Sequence, residues 1–302
     1  MYETIVIGGG PAGIAAAIYL ARQKVKFLML GGLFGGKTAW SADVENYLGF
    51  HLLDGAELTK KFREHLNDYR GSFELKEGEM AKKAEKMGKG FRLTTDGGTY
   101  EARTLLVATG EKNRKLNVPG EDEFMNKGVT YCATCDAPLF KDKVVHVIGG
   151  GNSAMDAALF LEKYATSVTI VTVNPELTGD AAMKGKCLVS PKIKVLSSTK
   201  TSRILGEQFV SGIGLVGPDG TERTEPTQGV FIEIGLVPEA DFIDFVEKDK
   251  QGQIIVDKRN RTSIEGVWAA GDVTDVTEKQ IAIAVGEGSK AALDIIDFLH
   301  KS

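Results

Sequence analysis

The fold is decided near the start of the chain, where residues 4–13 read Thr4-Ile5-Val6-Ile7-Gly8-Gly9-Gly10-Pro11-Ala12-Gly13. The β-branched run predicts a short strand, and the alanine-rich run 14–22 predicts a helix. A strand, a G-x-G-x-x-G turn and a helix in this order indicate a dinucleotide-binding βαβ unit. Gly8 allows the tight turn, Gly10 lets a pyrophosphate approach the backbone, and Gly13 lets the helix pack closely. The helix N-terminus then faces the phosphates.

The same pattern occurs a second time, further along the chain. Residues 143–148 predict a strand, and Gly149-x-Gly151-x-x-Ala154 predicts the turn after it. Residues 155–164 predict a helix, and residues 167–173 predict the next strand. Two such copies, separated by more than a hundred residues, indicate an α/β protein with two nucleotide-type domains.

A pair of cysteines lies between the two glycine turns, in the run Cys132-Ala133-Thr134-Cys135-Asp136. Two cysteines at this spacing can close to a disulfide and reopen to a dithiol. The thiolate is the nucleophile, and proximity in Cys-x-x-Cys lowers one of the two pKa values. A redox-active pair between two nucleotide folds suggests that electrons pass from a flavin to a disulfide.

Three other interpretations of these residues remain open. A zinc site would need two more ligands, and only Cys187 and His146 are candidates, neither in a paired spacing. A purely structural disulfide would close so small a loop that it would stabilise little. Asp136 could serve only as a helix or turn cap. Cys187 alone is typical of a small buried hydrophobic residue, so we predict no metal site.

Composition limits the class of protein. The chain has 302 residues, 42% hydrophobic and 26% charged, as in a globular protein of two domains. Its net charge of -4 gives no reason to expect nucleic acid or an anionic membrane as a partner. We expect no signal peptide, because a strand follows Met1 almost at once, and no membrane helix, because no sufficiently long apolar run is present. Three cysteines favour a reducing compartment, the cytoplasm.

The order of these motifs resembles the low-molecular-weight thioredoxin reductase family along nearly the whole chain. These are class II FAD-dependent pyridine nucleotide-disulfide oxidoreductases. Besides the glycine turns and the cysteine pair, the resemblance is carried by the runs GGKT at 35–38, ENYLGF at 45–50, ATG at 108–110, VPGE at 118–121 and AAGDV at 269–273.

The resemblance implies a fold of two Rossmann-like, three-layer ββα nucleotide-binding domains, the second inserted into the first. The FAD-binding domain would comprise residues 1–113 and 241–302. Residues 114–240 would form an NAD(P)-binding-like domain that carries the cysteine pair. The middle domain of such enzymes rotates on its two linkers, here about residues 113–119 and 236–240. The family also implies a homodimer and a thioredoxin-like protein as partner.

The resemblance also implies which residues bind FAD. Gly271 and Asp272 would hold the pyrophosphate and ribitol, and Lys279, Gln280 and Ile281 would approach the flavin ring. The other candidate contacts are Gly8, Gly10, Pro11, Ala12, Gly13, Gly31, Gly35, Gly36, Lys37, Thr38, Asn46, Ala108, Thr109 and Gly110. One feature departs from many Rossmann sites, because no acidic residue follows the second strand to bind the adenosine ribose.

In the thiol chemistry, the resemblance makes Cys132 the thiol that attacks the partner and Cys135 the one that faces the flavin. Asp136 would shuttle the proton. The dithiol would attack a disulfide of the partner and resolve the resulting mixed disulfide.

The electron donor is left open by the sequence. NADPH-dependent relatives have a His-Arg-Arg run after the second strand of the inserted domain, where this chain reads Val171-Thr-Val-Asn-Pro-Glu176. Residues 177–183 also lack arginine, and an arginine clamp on a 2′-phosphate is hard to replace. NADPH is therefore disfavoured. NADH would have only Asn174 or Glu176 to bind its ribose, so NAD(P)H is a doubtful cofactor.

The chain is also similar to the pyridine-nucleotide-independent branch of the family, which takes electrons from ferredoxin or a deazaflavin. Residues 46–50 and 131–140 carry this similarity, although that branch often degrades the second glycine motif, which is intact here. Three hypotheses follow: a thioredoxin-reducing flavoenzyme with ferredoxin or another donor, an ordinary NAD(P)H-dependent thioredoxin reductase with a substituted pocket, and an FAD-binding redox sensor or interaction protein without turnover.

Overall fold

The computed structural model describes residues 1–41 and 44–301. The chain divides into two compact units. We call Met1–Lys112 together with Val237–Ser302 the outer unit, and Asn113–Leu236 the inserted unit. The sequence analysis placed the two crossings at 113/114 and 240/241, so its second boundary lies further along the chain than the one the structure has.

The secondary structure alternates between strands and helices in both units. In chain order the strands are β1 (Tyr2–Ile7), β2 (Phe27–Gly31), β3 (Glu74–Glu77), β4 (Ala81–Met87), β5 (Gly90–Thr95), β6 (Thr99–Val107), β7 (Glu111–Asn113), β8 (Val129–Thr130), β9 (Val144–Ile148), β10 (Ser167–Val171), β11 (Ile193–Leu196), β12 (Lys200–Gly206), β13 (Val210–Val216), β14 (Glu222–Pro226), β15 (Gly229–Ile232), β16 (Leu236–Pro238) and β17 (Val267–Ala269). The helices are α1 (Pro11–Arg22), α2 (Gly55–Asn67), α3 (Ala133–Asp136), α4 (Asn152–Leu161), α5 (Ala181–Val189) and α6 (Ile281–Lys301), with 3-10 turns at Gly36–Trp40 and Ala137–Phe140.

The outer unit is built on one seven-stranded sheet in the order β3-β2-β1-β6-β5-β4, with β17 paired to β6. Strand β1 lies parallel to both β2 and β6, with Ile5 opposite Leu28 and Leu105. Strands β4 and β5 continue the sheet in antiparallel fashion. Residues 4–7 of β1 and 27–30 of β2 are buried, as expected for parallel strands covered on both faces, and all of them except Thr4 are apolar.

Two apolar clusters cover the faces of this sheet. On one face Val6 and Phe27 pack with Trp268 and with residues of α1 and α6. On the other face Ile5 and Leu28 pack with residues of the antiparallel strands. The helices α1 and α6 approach so closely that a Cβ on Gly288 would lie 2.0 Å from the carbonyl oxygen of Ala12. The outer unit therefore has helices, parallel strands and antiparallel strands in layers.

A buried carboxylate ties α6 to the segment before β17. Asp294 accepts hydrogen bonds from Trp268 Nε1 at 3.0 Å, from Arg259 Nη1 at 3.1 Å and from Arg261 Nη2 at 2.7 Å. Burial alone would raise the pKa of Asp294, but the hydrogen bonds from Arg261, Trp268 and Arg259 outweigh it and lower the pKa to about 2. Charge-assisted bonds of this kind are stronger than neutral ones.

Replacement of Asp294 with Asn is expected to lower the free energy of unfolding by about 1.5–3 kcal/mol near neutral pH, because it weakens hydrogen bonds to a charged group. The folded pKa lies below the unfolded value of about 3.9, so the contribution is present above that value and is lost as the pH falls towards the folded pKa. Urea unfolding of both proteins near pH 7 and near pH 3 measures this. A stability difference that did not shrink in acid would contradict the prediction.

The inserted unit has a five-stranded parallel sheet in the order β11-β10-β9-β15-β8 and a three-stranded antiparallel sheet in the order β12-β13-β14. One cluster, with Val147 and Phe231, packs beneath α4 and α5. A second cluster, with Val230 and Ile213, fills the space between the two sheets. The unit is thus a helix layer, a parallel sheet and an antiparallel sheet. The predicted α/β fold of two Rossmann-like units, the second inserted into the first, is confirmed.

Candidate functional site

The first glycine turn joins β1 to α1 and leaves open space at the start of the helix. Gly8 has φ +127°, and a Cβ there would lie 2.1 Å from the carbonyl oxygen of Ala108. A Cβ on Gly13 would lie 2.0 Å from the carbonyl oxygen of Gly8. In contrast, a Cβ on Gly10 would meet nothing within 4 Å, and no side chain caps the helix. The turn therefore presents the N-terminus of α1 to open space, as a pyrophosphate requires.

The ends of the neighbouring strands meet at this turn. A Cβ on Gly31, the last residue of β2, would lie 2.5 Å from the backbone nitrogen of Gly9. Just beyond β6, the Thr109 hydroxyl donates to the carbonyl of Glu239 at 2.6 Å, and Gly110 follows. The carboxyl ends of β1, β2 and β6 thus form one edge, which is where open α/β sheets bind their ligands.

Lys37 brings two carboxylates together at the same edge. It lies in the 3-10 turn that follows Gly35, and its Nζ is 2.8 Å from Asp272 Oδ2 and 3.0 Å from Glu111 Oε2. The sequence analysis named Lys37 and Asp272 but missed Glu111. The one clue in the sequence was that Glu111 directly follows Gly110, the last residue of the predicted FAD-binding run after β6.

The Gly-Asp turn after β17 is held by a buried carboxylate. The N–H of Gly271 donates to Glu287 Oε2 on α6 at 2.8 Å, and Glu287 is buried. Lys279 Nζ donates to the carbonyl of Asp272 at 3.1 Å. A Cβ on Gly271 would lie 3.2 Å from that of Ala12, so this turn abuts the start of α1. Glu287 was also missed, because a glutamate in a helix carries no sign that it binds a distant turn.

The remaining predicted flavin contacts lie in the same unit. Asn46 Nδ2 donates to Gln280 Oε1 at 3.0 Å, directly before α6 begins at Ile281. Thr38 is buried in the 3-10 turn, and Pro11 is the first residue of α1. The structure therefore gathers the candidates that the sequence scattered over nearly three hundred positions.

The segment after β2 contacts a thioether and carries no acidic residue at Gly31 or Gly32. Strand β2 ends at Gly31, and a Cβ on the following Gly32 would lie 2.3 Å from Met80 Sδ. Apart from this feature, the outer unit has the cradle that a flavin dinucleotide needs: an open glycine turn, a helix N-terminus and a second glycine turn at Gly271. The residues present fit FAD.

The two cysteines lie at the corresponding edge of the inserted unit. Cys132 and Cys135 form a disulfide, with their Cα atoms 5.3 Å apart, directly after β8. The N–H of Cys135 donates to Cys132 Sγ at 3.2 Å, and the N–H of Cys132 donates to Thr130 Oγ1 at 3.1 Å. Cys135 is exposed and Cys132 is half-buried. The predicted redox disulfide is therefore present, and one of its two residues is exposed.

Asp136 lies beside the disulfide and is not a simple cap. Its carboxylate accepts a hydrogen bond from Thr130 Oγ1, the same hydroxyl that accepts from the N–H of Cys132. It makes no side-chain cap to the 3-10 turn that follows. One hydroxyl thus links Asp136 to the backbone of Cys132.

Cys187 and His146 do not approach the cysteine pair. Cys187 is buried in the helix-side cluster, where burial raises the pKa of its thiol. His146 is buried in β9, and burial lowers its pKa against the opposing effect of Glu225. Within residues 1–41 and 44–301, no three His, Cys, Asp or Glu side chains are placed to hold a metal ion.

The second glycine turn has the same construction as the first. Gly149 has φ +139°, and a Cβ there would lie 2.1 Å from the carbonyl oxygen of Glu233, whereas a Cβ on Gly151 would meet nothing within 4 Å. After β10, Val173 is exposed, and Glu176 forms an ion pair with Lys184 that lowers the pKa of Glu176. This turn is open at Gly151, and residues 171–183 contain no arginine.

The fold and this site define a class of proteins with two dinucleotide folds and one internal disulfide. Residues 2–288 match the model of the family described as pyridine nucleotide-disulphide oxidoreductase. The chain belongs to this family. Membership implies FAD as cofactor. No helix of the described ranges has both the length and the apolarity to cross a membrane.

Among curated relatives, the chain is 39% identical over 303 residues to NADH dehydrogenase of Bacillus subtilis (strain 168). It is 40% identical over 305 residues to an alkyl hydroperoxide reductase component of Pseudomonas putida. In both comparisons all of this chain is covered, but it spans only 59% of the relative.

Solved structures match over their full length. The thioredoxin reductase of Lactococcus lactis in the FR conformation has a TM-score of 0.87 and 33% identity, and 100% of each chain is covered. The thioredoxin reductase of T. acidophilum has a TM-score of 0.83 and 38% identity, with 98% of each chain covered. A ferredoxin-flavin thioredoxin reductase from Clostridium acetobutylicum has a TM-score of 0.56 and 30% identity, covering 100% of this chain and 99% of its own. The predicted resemblance to low-molecular-weight thioredoxin reductases is confirmed.

Proposed function

We propose that the protein is a flavoenzyme that passes two electrons through the Cys132–Cys135 disulfide to a disulfide of a thioredoxin-type protein. The observation that carries the proposal is this disulfide, set at the carboxyl edge of the inserted unit, with Cys135 an exposed residue. The full-length likeness to thioredoxin reductases supports it.

The outer unit would bind FAD, and the inserted unit would be the NAD(P)-binding-like domain with the redox pair. Gly10 and the N-terminus of α1 would receive the pyrophosphate, because nothing occupies the space beside Gly10. Lys37, Asp272 and Glu111 would form the charged group beside the flavin, and Glu287 would hold the Gly271 turn in place. Bound FAD would supply two electrons to the disulfide.

The dithiol would then reduce the partner. Cys132 would attack the partner disulfide, and Cys135 would resolve the mixed disulfide. Asp136 would carry the proton. Its carboxylate accepts a hydrogen bond from the Thr130 hydroxyl, and the same hydroxyl accepts from the N–H of Cys132, so Asp136 is linked to Cys132 through Thr130. We place the protein in the cytoplasm, because a chain with three cysteines and a reducible pair is typical of a reducing compartment. A homodimer is proposed on family likeness alone.

The donor that we favour is ferredoxin or another donor that is not NADPH. Residues 171–183 contain no arginine, and the acidic candidate Glu176 is engaged by Lys184. A bidentate arginine clamp cannot be replaced by Asn or Thr without losing most of the binding to a 2′-phosphate. The ferredoxin-flavin neighbour supports the same choice.

Anaerobic titration tests the donor. We expect micromolar NADPH to leave most of the flavin absorbance unbleached, because the 2′-phosphate finds no arginine. Reduced ferredoxin is expected to bleach it and to release two thiols per chain, counted with a thiol reagent. Dithionite serves as the positive control for a functional flavin. Rapid and complete bleaching by NADPH would overturn the ferredoxin proposal.

A second candidate donor is NADH, and two observations favour it. The second glycine turn is open at Gly151, and the matching relatives include an NADH dehydrogenase and an alkyl hydroperoxide reductase component. In the same titration, bleaching by NADH at a rate far above that with NADPH would select this candidate. A reduced enzyme that turned over no thioredoxin-type disulfide would instead favour the redox sensor.

A further inference from the structure

Glu233 and the redox disulfide both lie at the carboxyl edge of the inserted sheet. It follows the last residue of β15, and β15 pairs in parallel with β8, with Phe231 opposite Thr130. Glu233 and Cys132 each lie two residues beyond this pair. The backbone is still extended at Cys132, and the N–H of Glu233 still donates to Ile148 in β9. Neighbouring strands are about 4.8 Å apart, so the register brings the two backbones side by side.

The alternation of side chains points Glu233 towards the helix that holds the cysteines. Val230 and Ile232 belong to the cluster between the two sheets, whereas Phe231 packs with Ala133 of α3 on the helix side. Because side chains along a strand alternate between faces, Glu233 lies on the same face as Phe231. Asp156 of α4 acts electrostatically on Glu233, which agrees with this placement.

The carboxyl group of Glu233 has a pKa close to neutral pH. Its side chain makes no hydrogen bond to the described part of the chain. Burial, and then the charge of Asp156, raise the pKa of Glu233 to about 7. Among the described residues, the charge shown to act on Glu233 is that of Asp156 from α4, whereas Asp136, Cys132 and Cys135 belong to the segment that follows the paired strand β8. A general base is most effective when its pKa lies near the working pH.

We propose that Glu233 exchanges a proton with the Cys132 thiol during thiol–disulfide exchange, as a proton-handling carboxyl additional to Asp136. This proposal rests on the function proposed above. The Cys132 S–H bond breaks, and the proton passes to the Glu233 carboxylate. Cys132 Sγ forms a new S–S bond with one partner sulfur. The partner S–S bond breaks, and its second sulfur leaves with the electron pair as a thiolate, which takes the proton from Glu233.

The pH dependence of alkylation tests the coupling without any donor or partner. The protein is reduced with dithiothreitol, and alkylation of Cys132 by iodoacetamide is followed by mass spectrometry between about pH 5 and pH 10. The wild type is expected to show two steps, one near pH 7, because interacting groups titrate as a pair. Glu233→Gln is expected to show one step and to react several-fold faster near pH 8, since a negative neighbour has been removed.

Three further variants distinguish proton coupling between Glu233 and Cys132 from a general effect of substitution. Glu233→Asp keeps an ionisable carboxyl and should retain two steps. Asp156→Asn removes the charge that helps to raise the pKa of Glu233, so the lower step should move to lower pH. Glu239→Gln is the matched control, because Glu239 also has a pKa raised by burial but belongs to the outer unit. Its alkylation profile should equal that of the wild type.

Reaction of the dithiothreitol-reduced protein with oxidised thioredoxin near pH 7 gives a second readout. Glu233→Gln should react at least about a hundredfold more slowly, the lower end of general acid–base effects, although its alkylation is faster. Loss of structure would also expose Cys132 and slow the reaction with thioredoxin, so thermal melting of Glu233→Gln and the two-step profile expected of Glu233→Asp distinguish proton coupling from unfolding. If the alkylation profiles of Glu233→Gln and the wild type superimpose, the proposal for Glu233 is overturned and the proposed function stands. If the profiles differ but neither protein reduces thioredoxin, the proposed function is overturned and the proton coupling stands.

Discussion

The Cys135→Ser variant is expected to lose protein-disulfide reduction by roughly a thousandfold or more and to remain yellow with bound FAD. A single sulfur cannot accept two electrons by opening a disulfide, and it cannot resolve a mixed disulfide. Losses of this size are usual when one member of a catalytic group that acts as a unit is removed. FAD should stay bound because every predicted FAD contact lies in the outer unit. Turnover with thioredoxin and the flavin spectrum measure the two effects.

The same variant distinguishes the roles of the two cysteines. Cys135 is the more exposed of the two residues, whereas family likeness gives the attack on the partner to Cys132, which is half-buried. If Cys132 attacks, Cys135→Ser should trap a covalent complex with thioredoxin on non-reducing electrophoresis, and Cys132→Ser should not. The opposite pattern would exchange the two roles.

Cys187→Ala is the matched control for both cysteine variants. Cys187 is buried in the helix-side cluster and donates weakly to the carbonyl of Met155, so it has no access to the partner. Its replacement should preserve turnover and cost only a modest amount of stability. If Cys135→Ser retained more than a tenth of the wild-type activity, the relay through this disulfide would be wrong.

The sequence was sufficient for the parts of the site that depend on local chain geometry. A glycine turn such as Gly8–Gly13 must follow a strand and begin a helix, so its role can be read from neighbouring residues. The Cys132–Cys135 pair is likewise a local motif. The spacing, together with the position between two glycine turns, predicted a redox disulfide, and the structure has the disulfide.

The parts that the sequence did not predict depend on contacts between distant segments. Glu287 accepts a hydrogen bond from Gly271, and Glu111 is brought to Lys37 by the fold of the outer unit. Glu233 and Cys132 come to the same edge of the sheet only because β15 and β8 pair in one register. Each of these is an acidic residue in an ordinary-looking context. Its role follows from tertiary position, which a single sequence does not encode in any local pattern.

Gly10→Val is expected to abolish most FAD binding while leaving the apoprotein folded. A side chain at this position meets nothing within 4 Å, so the protein can accommodate it, but it would occupy the space proposed for the pyrophosphate. We expect affinity for FAD to fall at least about a hundredfold, equivalent to roughly 2.7 kcal/mol. Equilibrium titration of the apoprotein with FAD measures the affinity, and thermal melting of the apoprotein measures the fold.

Two comparison variants make this result specific. Gly13→Val should destabilise the apoprotein itself by about 1–3 kcal/mol or more, because its Cβ would lie 2.0 Å from a backbone oxygen that cannot move freely. Gly151→Val is the equivalent of Gly10→Val in the second turn, and its Cβ also meets nothing within 4 Å. It should leave FAD binding unchanged, and it would weaken NADH only if NADH binds there. Wild-type FAD affinity in Gly10→Val would place the flavin dinucleotide elsewhere, since no bound pyrophosphate could share that space with a valine side chain.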